Sequence, residues 1–184
     1  MKPLVTKEEV LCRGEYQQLS LLHWVDARGR DRTWECSRRA NARGAVLVVA
    51  VTPEQEVLLT RQFRPPVNDF VIEFPAGLID KADESPAQVA ARELQEETGY
   101  RAGRLELLIH GPVSPGMGSE YLWAFLAADL TPGEMAPDDG EDIEILRVPV
   151  AQVEQELLGR MARGELIDTK IPGFVHLAVS RLTP

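Results

Sequence analysis

Only two cysteines, Cys12 and Cys36, stand among 184 residues, with no CxxC spacing between them. That argues against a disulfide framework and against a zinc site, and leaves two inert thiols as the expectation. No apolar run approaches the ~20 residues that a membrane-spanning helix requires. The opening stretch MKPLVTKEEVLCRGEY has no apolar h-region, so no signal peptide is expected and a cytoplasmic location is the default. Internal repeats and low-complexity segments are lacking too. Positive charge is in deficit: 20 Lys and Arg against 29 Asp and Glu give a formal net charge of −9. Nonspecific nucleic-acid binding depends on neutralising phosphates with basic side chains, so that class of partner is disfavoured. A small phosphate-bearing ligand is not, because a few local cations or a bound metal invert the field where it matters.

What is present suits one domain, or one domain with a small appendage. YQQLSLLHWVDARGRDRTWECSRR reads as two strands around a turn at Arg28-Gly29-Arg30. GAVLVVAVT is a continuous apolar run rich in β-branched residues, expected as a strand buried on both faces, and EVLLTRQF pairs with it as a hairpin. Proline breaks the chain at RPP, and DFVIEFPAG is a further short strand stopped by Pro75. LELLIHGPV, SEYLWAFLAADL and IEILRVPV read as strands, and VAQVEQELLGRMARG has helical periodicity closed by Gly164. GFVHLAVSRL is expected as a last helix. The sum is an α+β fold: a sheet core, one central helix and a helical C-terminus, preceded by an N-terminal hairpin.

The central helix lies in GLIDKADESPAQVAARELQEETGY, residues 77–100. Ser85 is a good N-cap, Pro86 suits the first turn, Gln88 completes a capping box, and Gly99 is a stop. Glu93, Glu96 and Glu97 share one face at i, i+3, i+4. Glu96 and Glu97 sit at the negative end of the helix dipole, where each exposed anion is disfavoured by roughly 0.3–1 kcal/mol. Glu93 and Glu97 add like-charge repulsion of about 0.2–0.5 kcal/mol. Either this is a solvated acidic face with Arg92 paired to Glu96, or it is a site for a hard divalent cation. Spacing alone leaves both open.

Gly77, Glu84, Arg92-Glu93-Leu94, Glu96-Glu97 and Gly99-Tyr100 together resemble the Nudix box, the signature of the Nudix hydrolases. The resemblance implies a Nudix fold, an α/β/α sandwich on a mixed β-sheet with a catalytic loop–helix–loop. It also implies Mg²⁺- or Mn²⁺-dependent cleavage of nucleoside diphosphates linked to another moiety. One departure stands out: six residues separate Gly77 from Glu84 where the pattern has five. Asp83 would restore that spacing but leave eight residues before Arg92, so Glu84 is assigned to the box and the turn DKAD carries the extra residue. In the family this glutamate pairs with the box arginine and orders the loop.

RQFRPPVNDFVIEFPAGLID and GPVSPGMGSE are similar to stretches of the ADP-ribose pyrophosphatase-like subgroup, and Pro115 falls sixteen residues beyond Gly99 as that subgroup has it. The resemblance implies metal ligation by Glu93, Glu96, Glu97 and the carbonyl of Ala76, with Glu96 and Glu97 also counted as catalytic. It implies Glu141 as general base or water positioner, with Asp142 and Glu144 as nearby competitors. Arg64 matches a diphosphate clamp, its alternative being a structural salt bridge. Trp34 and Glu35 match an adenine-binding tryptophan and its neighbour, and Tyr16 lies roughly where a second stacking aromatic is found; a hairpin core is the alternative for both rings. Arg39, Phe63, Glu73 and Glu120 are further candidates for the substrate pocket. Residues 1–40 would be a dimerisation and substrate-binding segment and 41–184 the hydrolase domain, with the N-terminal strands exchanged across a homodimer. The substrate expected is ADP-ribose or a related nucleoside diphosphate sugar. A GDP-mannose-type specificity and a non-catalytic sensing module are the alternatives, the latter weakened because all three helix glutamates are retained. His23, His110 and His176 fit no ligand spacing and are expected to be structural.

Overall fold

The computed structural model describes residues 1–137, 140 and 142–182. The run expected to be buried on both faces is strand β4, Ala45–Val51. Its period-2 alternation feeds two cores. Leu47, Val49 and Val51 point to one side of the sheet, and Val46, Val48 and Ala50 to the other. β4 pairs parallel with β9 (Tyr121–Pro132), which pairs antiparallel with β8 (Tyr100–Pro112). On its other edge β4 pairs with β5 (Glu56–Arg64) only at Ala50 and Val51, and with β7 (Ala76–Leu78) at Ala45 to Leu47. β5 continues along β6 (Asp69–Glu73), and β10 (Ile143–Pro149) lies on its far edge. The expected hairpin of β4 and β5 is therefore short, because the two strands diverge. Phe74 and Pro75, between β6 and β7, occupy that divergence, and Val48 N–H donates to Pro75 O at 2.9 Å. β11 (Leu166–Ile167) extends the sheet parallel to β6.

Helix α1 (Pro86–Thr98) covers one face through Val89, Ala90 and Leu94, all fully buried. Burying each Val or Leu side chain contributes about 1.5–3 kcal/mol. The capping box is formed, with Gln88 N–H donating to Ser85 Oγ and Ser85 N–H to Gln88 Oε1. Gly99 ends the helix in the left-handed region at φ 70°. The opposite face carries α2 (Val153–Ala162), preceded by a 3-10 turn at Val150–Gln152, and α3 (Ile171–Leu182), which bury Val153, Leu157, Ile171, Val175 and Ala178. The result is an α/β/α sandwich on a mixed sheet. α3 starts two residues earlier than GFVHLAVSRL suggests, because Pro172 is tolerated in a first turn, where its missing N–H has no intrahelical partner.

The expected N-terminal hairpin is present as two strands of a larger sheet. Three antiparallel strands are present: β1 (Leu4–Arg13), β2 (Gln17–Val25) and β3 (Asp31–Arg39). All of β1 is exposed, so no buried face imposes an alternation that a sequence could betray. Asp26 organises the β2–β3 turn by accepting from the backbone N–H of Arg28 at 2.8 Å and of Arg30 at 3.0 Å. The hydrogen bond from Arg30 N–H outweighs desolvation and, with the Arg28, Arg30 and Arg32 contacts, holds the Asp26 carboxyl below its ordinary value. Among the described residues no helix is long and apolar enough to cross a membrane.

Candidate active site

A cleft of about 620 Å³ opens where β4 and β5 diverge, between the β7 backbone and α1. Arg39, Arg64, Lys81 and Arg92 line it together with Asp80, Glu93 and Glu96, so the cleft gathers cations in an acidic chain. Ala76 and Gly77 form its floor. The α1 face presents the glutamates at the helix end nearest this floor. Glu97 is buried, 5 % exposed, and accepts from Ala76 N–H at 3.2 Å. Glu93 packs so close to Gly77 that a Cβ there would lie 2.0 Å from its carboxyl carbon. A side chain at Gly77 would displace Glu93, so the glycine answers to close approach rather than to unusual backbone angles.

Arg92 ties the acidic face together. Its Nη1 lies 2.7 Å from Glu96 and 3.0 Å from Glu93, and its Nη2 lies 3.4 Å from Glu84. Asp83 is exposed, whereas Glu84 is half-buried and turned toward Arg92. Burial opposes the Arg92 charge, but Glu93, Glu96 and Glu84 outweigh it and raise its pKa above the ordinary arginine value. Among the described residues no three His, Cys, Asp or Glu side chains are gathered tightly enough to hold a metal ion as they stand. Arg92 draws Glu93 and Glu96 to itself, and the Ala76 amide draws Glu97. The donor set itself, three carboxylates beside a backbone carbonyl, fits a hard divalent cation.

The other candidates distribute as follows. Arg64 lines the cleft while its Nε donates to Glu73 Oε1 at 2.6 Å, so salt bridge and cleft placement coexist. Arg39 lines the cleft and is ion-paired with Glu120. Phe63, next to Arg64 on β5, has the opposite orientation: its ring meets Phe70 edge-on at 5.7 Å and stays outside the cleft lining. Trp34 is half-exposed, and its Nε1 donates to Gly116 O at 3.0 Å. With Ser37 N–H donating to Met117 O at 2.9 Å and Ser119 N–H to Ser37 O at 3.1 Å, this sets β3 against the SPGMGSE loop. Glu35 is exposed on β3, and Tyr16 is exposed in the bend between β1 and β2. Glu144 pairs with Arg61 at 3.2 Å, Asp142 is exposed, and Glu141 lies outside the described residues. His110 stacks on Trp123 at 4.2 Å, away from the cleft lining. Sequence reasoning missed Asp80 and Lys81 as lining residues. Their signal was their place in the DKAD turn between box glycine and helix.

Comparison with known proteins agrees with this geometry. The NUDIX domain family model matches residues 41–169. An ADP-sugar pyrophosphatase of Mus musculus is 34% identical over 175 residues, covering 87% of this chain and 78% of the mouse protein. An ADP-ribose pyrophosphatase of Bacillus subtilis (strain 168) is 36% identical over 129 residues, covering 69% of this chain and 67% of that protein. The crystal structure of an ADP compounds hydrolase superposes with a TM-score of 0.80 at 24% identity, covering 99% of this chain and 95% of that one. With the box helix, the mixed sheet and a match over residues 41–169, the chain belongs to the Nudix hydrolase family.

Proposed function

We propose that the protein hydrolyses the diphosphate bond of ADP-ribose, giving AMP and ribose 5-phosphate, in a reaction that depends on Mg²⁺ or Mn²⁺. The observation that carries this reading is the gathering of two charge sets in the lining of one cleft, Glu93 and Glu96 of α1 together with Arg39 and Arg64. A diphosphate needs both. The named relatives supply the nucleotide class.

Glu93, Glu96, Glu97 and the Ala76 carbonyl would hold the cations. Bound there, a divalent cation would neutralise the diphosphate and acidify water. Arg64, oriented by Glu73, and Arg39, oriented by Glu120, take phosphate oxygens, for which the guanidinium fork is well shaped. Glu141 accepts a proton from the attacking water as general base. Trp34 stacks the adenine, with Glu35 and Tyr16 beside it. Leu4, Val5, Val10, Leu11 and Leu19 are exposed on the N-terminal sheet, which supports its exchange across a homodimer.

The test is phosphate release in the presence of phosphatase, with Mg²⁺, across a panel of nucleotide sugars. ADP-ribose is expected to give the highest kcat/KM. Faster turnover of GDP-mannose would replace the base assignment, and no hydrolysis at all would favour the sensing module. Because base–aromatic stacking contributes about 1–3 kcal/mol, Trp34→Ala is expected to raise KM for ADP-ribose roughly 5- to 150-fold. An unchanged KM removes Trp34 from the base pocket.

A further inference from the structure

Arg43 lies two residues before β4 and outside the cleft lining. Its backbone N–H donates to Ile79 O at 2.9 Å, and Ile79 N–H donates to Gly44 O at 3.0 Å, which pins it beside the end of β7. Its side chain then spans the loop between β7 and α1. One guanidinium nitrogen, Nη2, donates to Lys81 O at 3.1 Å and to Glu84 O at 2.6 Å. These two carbonyls bracket the turn at Ala82 and Asp83. That turn lies within DKAD, the stretch assigned the residue by which this chain exceeds the Nudix spacing.

We propose that Arg43 is a positioning residue for the cation-binding face of α1: by clamping the lengthened loop at both ends it fixes where Glu84 meets Arg92. An added loop residue adds conformational freedom that must be lost when the loop is ordered. A charge-assisted donor shared between two carbonyls offsets that loss. With its own carbonyl held, Glu84 presents Oε2 to Arg92 Nη2 at 3.4 Å and Oε1 to Lys81 Nζ at 3.6 Å. Arg92 already contacts Glu93 and Glu96, the carboxylates a cation needs. Glu84 is its third acceptor and the one left to it once those two are taken. A loose Glu84 leaves Arg92 competing with the cation for Glu93 and Glu96.

This inference rests on the metal-dependent reading above, so its two deciding readouts are taken without substrate. Arg43→Ala and Arg43→Gln are compared with the wild type, the glutamine keeping an N–H donor without the charge. In metal-free protein, amide hydrogen exchange over residues 81–85 is expected to quicken about tenfold in Arg43→Ala. Mn²⁺ affinity by calorimetry is expected to weaken about tenfold, in the range of outer-shell substitutions, with partial recovery in Arg43→Gln. Under saturating Mn²⁺ the KM for ADP-ribose stays at the wild-type value. Unchanged Mn²⁺ affinity overturns the proposal, whether or not the loop exchanges faster, because Arg43 is then a surface tether alone. Wild-type protein that binds Mn²⁺ yet hydrolyses no nucleotide sugar defeats the functional reading only, and the exchange and Mn²⁺-affinity readouts still decide the role of Arg43.

Discussion

Glu97→Gln is expected to lower kcat about a thousandfold, equivalent to ~4 kcal/mol of barrier, while leaving the melting temperature unchanged or slightly raised. The two readouts part because the carboxylate has two duties. Its shape is structural: it is buried, and one oxygen accepts from Ala76 N–H at 3.2 Å. A glutamine side chain retains that acceptor and that volume. In the proposed reaction its charge serves the cation, and its place in the helix does not favour that charge. At the C-terminal end of α1 an anion opposes the helix dipole by roughly 0.3–1 kcal/mol, and Glu93 one turn earlier adds like-charge repulsion. Removing the charge relieves both while depriving a divalent cation of a ligand. The measurement is steady-state turnover of ADP-ribose with Mg²⁺ beside thermal unfolding followed by circular dichroism. Turnover within tenfold of the wild type would remove Glu97 from the cation site. A large fall in melting temperature would show instead that the charge itself holds the β7–α1 contact.

That opposition between charge and local stability raises the question of a cation site, and the resemblance to the Nudix box supplies the expected answer. α1 could be read because its determinants are local: Ser85, Pro86 and Gln88 at one end and Gly99 at the other act within one turn of chain. β4 could be read because burial on both faces leaves an unbroken apolar run rich in valine. Where neither condition holds, the sequence is silent. β1 is an exposed strand with no buried stripe, and Lys7-Glu8-Glu9 in its middle looks like solvated chain. The pairing of Arg39 with Glu120 joins residues 81 apart, and only the docking of β3 on the SPGMGSE loop brings them together. Phe63 shows the opposite failure. It neighbours Arg64 in sequence, but alternation along β5 turns the two side chains to opposite faces, so one reaches the cleft and the other meets Phe70. Asp83 and Glu84 are adjacent acids that only the path of the loop can tell apart, and that path is held from Arg43, 41 residues before Glu84.

Gly77→Ala is expected to lower turnover by about two orders of magnitude with a stability change within about 1 kcal/mol. A Cβ at this position would stand 2.0, 2.1 and 2.3 Å from Cδ, Oε1 and Cγ of Glu93. Contacts that short force a movement. What moves is decided by which partner yields more cheaply. Gly77 is held in β7 opposite Val46 of β4, and Val46 is fully buried, so the backbone resists. The far end of Glu93 is a flexible side chain and swings aside, so the fold is largely spared. The carboxylate, however, leaves the floor of the cleft beside Ala76, where the cation is to be held, and Arg92 Nη1, 3.0 Å away, is the group ready to follow it. Mn²⁺ affinity is therefore expected to fall along with kcat, and excess metal restores part of the activity. Gly77→Ala with wild-type turnover would show that Glu93 is not a cation ligand in that position. A melting temperature lowered by more than ~8 °C would show that the backbone, not the side chain, had yielded.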